Sequence, residues 1–164
     1  MAQPQRTPSF ESILDTPTNL VERPRPMPIG TYNCIVKGMY EEGVSSDKKT
    51  PFVRFTYAFQ SAGDDVNEDE LQAVLTDKDG VVHPLGEKTI KDTYYTTPDA
   101  LYRITDVLVK MGVIDPDNDD GKTIRQALSE TPNASIRIYV SHRTSTSDSQ
   151  QIFADVKRTM RAED

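Results

Sequence analysis

Pro51-Phe52-Val53-Arg54-Phe55-Thr56-Tyr57-Ala58-Phe59-Gln60 is the stretch that decides the fold. Val53, Phe55, Tyr57 and Phe59 recur at every second position, the period of a strand with one face in a core. Phe52, Arg54, Thr56 and Ala58 fill the alternate positions, so the opposite face is mixed. Upstream, residues 31 to 40 repeat the pattern through Tyr32, Cys34 and Val36, and a polar turn at residues 43 to 49 joins the two strands. Downstream, Val66, Leu71, Val74 and Leu75 allow a short acidic helix within residues 64 to 76. An Asp79-Gly80 turn then leads to a third strand near residues 88 to 95.

The clearest helix follows, over residues 98 to 111. Thr97 is positioned to cap it, Pro98 suits its first turn, Asp99 its positive end, and Leu101, Ile104, Leu108 and Met111 form one apolar stripe. A shorter helix is expected from residue 123 to 130, stopped by Pro132. Two further strands, 135 to 141 and 151 to 157, turn Ile136, Ile138, Val140 and Ile152, Ala154, Val156 inward around the polar loop 144 to 150. Three strands, a prominent helix and a two-strand hairpin give the chain order of an OB-fold, a small Greek-key β-barrel with a helix at one end. The expected fold is therefore mainly β, OB-fold-like, with one prominent helix. Strands do not alternate with helices, which argues against a parallel α/β sheet.

Around this core the 164 residues divide unevenly. Residues 1–28 are Pro-rich and end in Arg23-Pro24-Arg25-Pro26-Met27-Pro28, which suits an extended N-terminal arm. Within the arm, Phe10, Ile13 and Leu14 are spaced for one helical face. Residues 29–158 make the domain and 159–164 a C-terminal tail. Cys34 is the single cysteine, so an internal disulfide is impossible and a reducing compartment fits. No apolar run is long enough for a membrane span, and the first 30 residues lack the apolar stretch of a signal peptide. A cytoplasmic protein is expected.

The net charge of -7 argues against a generally basic coat. Acidity is concentrated in residues 51 to 120, which hold fifteen acidic side chains against six basic ones, so basic residues remain free to share a face elsewhere.

Catalytic and metal motifs fail one by one. Gly121-Lys122-Thr123 matches the end of a P-loop, but Pro116 stands where its first glycine belongs and Asp117, Asp119 and Asp120 would repel phosphate. Asp115, Asp117 and Asp119 open like a calcium loop, yet Asp120 and Gln126 occupy the positions of its turn glycine and closing glutamate. His83 and His142, with one cysteine, make no recognisable metal or triad set. The acidic pairs read as solvated loop charge. No enzyme activity, cofactor or dedicated metal is expected.

Binding residues are better supplied. Single-stranded nucleic acid is held by basic grooves with aromatic faces for stacking, and an OB-fold offers these on its middle strands and adjoining loops. The candidates are Lys48, Lys49, Phe52 and Arg54 around the second strand, Lys91 and Tyr94 on the third, and Arg137, Tyr139 and Arg143 on the fourth. Exposed Lys, Arg and Tyr on strands also serve simply to block edge pairing.

Arg23-Pro24-Arg25-Pro26-Met27-Pro28-Ile29-Gly30-Thr31-Tyr32, Lys48-Lys49-Thr50-Pro51-Phe52-Val53-Arg54-Phe55 and Thr93-Tyr94-Tyr95-Thr96-Thr97-Pro98-Asp99-Ala100-Leu101-Tyr102-Arg103 resemble a group of small tailed-phage proteins similar to phage single-stranded DNA-binding proteins with an OB-fold. The likeness spans residues 9 to 158. It implies a non-catalytic role on single-stranded DNA in phage replication or recombination, in the host cytoplasm. Bacterial single-stranded DNA-binding proteins typically end in an acidic tail with a terminal phenylalanine; this chain ends Arg161-Ala162-Glu163-Asp164. The arm supports a second expectation, a structural or interaction protein of the phage particle whose Phe10, Ile13 and Leu14 contact neighbouring subunits. Homo-oligomerisation is left open by both.

Overall fold

The computed structural model of the chain describes Leu14 and residues 25–117, 121–146 and 151–162. Its spine is β3 (Pro51–Ala62), whose Val53, Phe55, Tyr57 and Phe59 are all buried, as the period-two pattern requires. One edge of β3 pairs with β4 (Thr89–Tyr95). The other edge pairs in two stages, with β2 (Glu41–Val44) along its first residues and β1 (Gly30–Val36) along its last. β1 continues the sheet to β5 (Ser135–Thr144), and β5 to β6 (Ile152–Met160). All five pairings are antiparallel, and the six strands form one sheet whose backbone ladder is not closed.

Helices pack on the inner face. α1 (Glu68–Leu75) is capped by the Asn67 side chain, and α2 (Leu101–Lys110) buries Ile104, Val107 and Leu108. α3 (Ile124–Ser129) starts with a reciprocal capping box between Thr123 and Gln126. Tyr32, Phe55, Phe59, Ile136, Ile138 and Val140 meet the α2 side chains in one core, each such side chain worth roughly 1.5–3 kcal/mol on burial. Tyr32 and Phe59 stack edge to face at 4.8 Å. Among the described residues, no helix is long and apolar enough to cross a membrane.

Several expected boundaries move. The strand expected over residues 31 to 40 stops at Val36, because Gly38 takes a left-handed conformation (φ 72°) that breaks the extended chain. The chain then resumes beside β3 as β2, inside what reads in sequence as the start of a turn. Pro98–Ala100 forms a 3₁₀ turn rather than the first turn of α2, and the Thr97 side chain makes no capping bond. Ile152 has the inward parity expected of it but is 42% exposed, because the tip of the β5–β6 hairpin projects beyond the core. Thr159 is buried and β6 continues to Met160, so the packed region extends beyond residue 158. At the other end Met27 and Pro28 are buried. The Tyr32 hydroxyl donates to the Pro28 carbonyl (2.7 Å), and His142 Nε2 lies 2.8 Å from the Met27 carbonyl.

Candidate nucleic-acid interface

Antiparallel register decides which side chains share the outward face. Phe52 lies opposite Tyr95, Arg54 opposite Thr93 and Thr56 opposite Lys91. This places Phe52, Arg54, Lys91 and Tyr95 on one surface. Lys48 lines, with Tyr95, a cavity of about 340 Å³ beside the β2–β3 turn, so that turn joins the same surface. Lys49 is exposed in the turn with a left-handed backbone (φ 51°).

The groups on this surface are already engaged. The Arg54 guanidinium stands over the Phe52 ring at 4.7 Å, and its Nε donates to Thr93 Oγ1 at 2.9 Å. Glu41 on β2 lies 3.8 Å from Arg54 and 3.6 Å from Lys91, so one carboxylate partly neutralises two cations. The tip of the Phe52 ring rests on Gly43, where a Cβ would meet Phe52 Cζ at 2.6 Å. Phe52 is therefore a platform covered by an arginine, whereas Tyr95 is 48% exposed. A base reaching this face would meet the Arg54 plane or the Tyr95 ring, both of which can stack.

A second group lies two strands away, beyond β1. Arg158 covers the Tyr139 ring at 4.8 Å, and Arg143 covers Phe153 at 4.8 Å while donating to Asp155 at 2.8 Å. Arg137 is half-buried near Asp65. Asp65 accepts from the Thr31 amide (2.9 Å) and hydroxyl (2.8 Å), and these bonds, with the Arg137 charge, hold its carboxyl below the usual range. The structure thus gathers Lys48, Lys49, Phe52, Arg54 and Lys91 into one region and Arg137, Tyr139 and Arg143 into another.

Tyr94 belongs to neither. Strand parity turns it inward, edge to face with Phe55 at 5.9 Å, so it is packing and not a platform. Its hydroxyl lies among Asp92, Tyr57 and Thr159. Tyr57 donates to Asp92 at 2.8 Å, and burial pushes the Asp92 carboxyl up to about 6 despite the tyrosine hydroxyls beside it. Sequence reading names Tyr94 as a candidate, whereas the register of β4 against β3 turns Tyr94 inward and Tyr95 outward. It passed over Glu41, Arg158 and Phe153, of which Arg158 and Phe153 lie on strand positions that alternation could have found.

The remaining motifs have structural employment. Lys122 Nζ donates to the Val113 carbonyl (3.1 Å) and Glu130 (2.7 Å), and Thr123 caps α3. Asp115 accepts from the Asp117 amide at 3.0 Å, while residues 118–120 lie outside the described residues. His83 sits between Asp77 (2.7 Å) and Glu87 (3.3 Å), which raise its pKa. Among the described residues no cluster of three His, Cys, Asp or Glu side chains could hold a metal ion. Phe10 and Ile13 lie outside the described residues; Leu14 is helical and 70% exposed.

No protein-family model matches the chain, and no curated protein matches it. Among solved structures, a chain of yeast RPA bound to ssDNA superposes with a TM-score of 0.33 at 7% identity, covering 99% of this chain and 92% of that one. A superposition this loose carries no argument about fold or function.

Proposed function

We propose that this protein binds single-stranded DNA across the outward face of β3 and β4, without chemistry of its own. One observation carries the reading: Arg54, Lys91 and Tyr95 share a face across two paired strands, and Lys48 borders the same Tyr95. Cations there can meet phosphates while Tyr95 and the Arg54 plane meet bases. Arg137, Tyr139 and Arg143, with Arg158, form a second basic-aromatic region that a longer strand would reach across β1.

The finer architecture belongs to the same proposal. β1 and β2 act as one broken strand along β3, and β4 lies against β6, with Tyr94 beside Thr159. Counted this way, the sheet has the strand order of an OB-type barrel with a side-chain seam in place of a last ladder. The arm over residues 1–28 is read as an extension of the domain. A place in tailed-phage replication or recombination, in the host cytoplasm, rests on the sequence likeness.

The test is a fluorescence-anisotropy titration with labelled oligothymidine at low and moderate salt. Binding that weakens as salt rises is expected. No salt-sensitive binding to any oligonucleotide at micromolar protein would overturn the proposal, and would favour the particle-component reading.

A further inference from the structure

The β2–β3 turn closes over the end of the β3–β4 face and leaves a pocket there. Ser45 and Thr50 hold the turn: the Ser45 amide donates to the Thr50 carbonyl and the Thr50 amide to Ser45 Oγ, each at 2.8 Å. Asp47 Oδ1 accepts from the Lys48 amide at 2.8 Å, which fixes the carboxylate against the turn. β4 ends beside this turn, where Tyr95 pairs with Phe52 and the Thr96 amide donates to the Pro51 carbonyl at 2.9 Å. The pocket between them has a volume of about 340 Å³, with Asp47, Lys48, Tyr95 and Thr97 among its walls. That is the low end of the roughly 300–1,000 Å³ usual for small-molecule sites, and it suits a single nucleoside.

The functional groups of this pocket have few partners within the protein. Asp47 and Lys48 are exposed, and neither forms an ion pair with any described residue. The Thr97 hydroxyl makes no capping bond, and Tyr95 is 48% exposed. Each group has a use toward a base on a strand that crosses the β3–β4 face. The Tyr95 ring stacks on the base and the Lys48 ammonium meets a flanking phosphate. The Asp47 carboxylate offers about four acceptor sites, of which the Lys48 amide takes one. A free carboxylate edge sorts bases by their Watson–Crick edges. Guanine presents two adjacent donors there, N1–H and the 2-amino group, spaced for one carboxylate. Thymine sets its single N–H between two carbonyls, and adenine and cytosine set their amino group beside a ring-nitrogen lone pair. From any of these three the carboxylate gains one bond and also faces an acceptor.

We propose that the Tyr95 pocket is a guanine site: one guanine base of the bound strand stacks on Tyr95 and donates its N1–H and 2-amino group to Asp47. The protein then prefers single strands that carry guanine over oligothymidine. This inference rests on the DNA-binding reading and adds to it a sequence preference that a face of cations and stacking rings does not have by itself.

The experiment titrates the full chain, at one fixed salt concentration, with a strand of about ten thymidines and with the same strand carrying deoxyguanosine, deoxyadenosine or deoxyinosine at one central position. The guanine strand should bind roughly 5- to 100-fold more tightly than the all-thymidine strand, the range of a good bidentate pair. Deoxyinosine lacks only the 2-amino group and should lose most of that preference; deoxyadenosine should lose all of it. Asp47→Asn keeps an oxygen for the Lys48 amide, so the turn is retained, and should remove most of the preference. Salt-sensitive binding of oligothymidine with no preference for guanine overturns this inference and leaves DNA binding standing, whereas no binding to any strand overturns both. A preference shared equally by adenine is stacking alone and overturns it as well. So does an inosine strand that binds as tightly as the guanine strand, or an Asp47→Asn chain that keeps the full preference.

Discussion

At the scale of the residue, burial of the Asp92 carboxyl makes stability depend on pH. Its partners are two tyrosines that donate but carry no positive charge, so burial outweighs their bonds and lifts its pKa to about 6. The folded protein therefore binds a proton more tightly than the unfolded chain, whose Asp titrates near 4. Stability from this group is full below about pH 4 and is lost as pH rises through 6. Between pH 7.5 and 5 wild type should gain about 1 to 1.5 kcal/mol from it, read as a few degrees in Tm. Asp92→Asn should flatten that gain; an unchanged slope would mean the carboxyl titrates normally. His83 acts with the same sign in an overlapping range, since its two carboxylate neighbours raise its pKa, so the difference between wild type and Asp92→Asn is the quantity to compare. On the outward face, Glu41 withholds two cations from any phosphate. Glu41→Gln should tighten oligothymidine binding several-fold at low salt and change little at high salt. A weaker complex would place the DNA elsewhere.

At the scale of the element, β2 and its packing on Phe52 position the proposed face. Gly43 is needed because the Phe52 ring occupies the space a Cβ would take. Gly43→Ala should tilt Phe52 and with it Arg54, costing on the order of 1 kcal/mol of stability. The same variant should weaken oligothymidine binding beyond what the stability loss explains; unchanged affinity would separate the Phe52–Arg54 pair from the site. This element also shows where sequence reading succeeds and stops. β3 was legible because its alternating aromatics leave one possible inward face, and α3 because its expected start at residue 123 and the stop at Pro132 bound it. β2 was not, because Glu41-Glu42-Gly43-Val44 has no buried member and so no period. Its strand state comes from pairing with β3, a tertiary effect. The same limit hid the Tyr94/Tyr95 assignment: both aromatics are present in the sequence, but only the register shows that Tyr94 turns inward against Phe55 while Tyr95 faces out.

At the scale of the whole molecule, a chain of net charge -7 approaching a polyanion is repelled at long range, so any attraction must come from a local surface with few competing carboxylates. Both regions carry such carboxylates: Glu41 lies between Arg54 and Lys91 on the β3–β4 face, while Asp155 holds Arg143 and Asp65 lies near Arg137 in the other. The two regions can be told apart by how affinity depends on salt. Removing one cation that pairs with a phosphate should lower the log-log slope by roughly 0.7 units for a single strand. Arg54→Ala and the double change Lys48→Ala/Lys49→Ala should lower it by about 0.7 and about 1.4. Tyr95→Ala should cost about 1 to 3 kcal/mol with the slope nearly unchanged, because stacking releases no counterions. Arg137→Ala should leave the slope intact and lower stability instead, since it removes the cation beside Asp65. If Arg137→Ala lowers the slope as much as Arg54→Ala does, the strand crosses β1 and runs over both regions. If it lowers the slope and Arg54→Ala does not, the site lies on β5 and β6, and the β3–β4 face is ordinary surface.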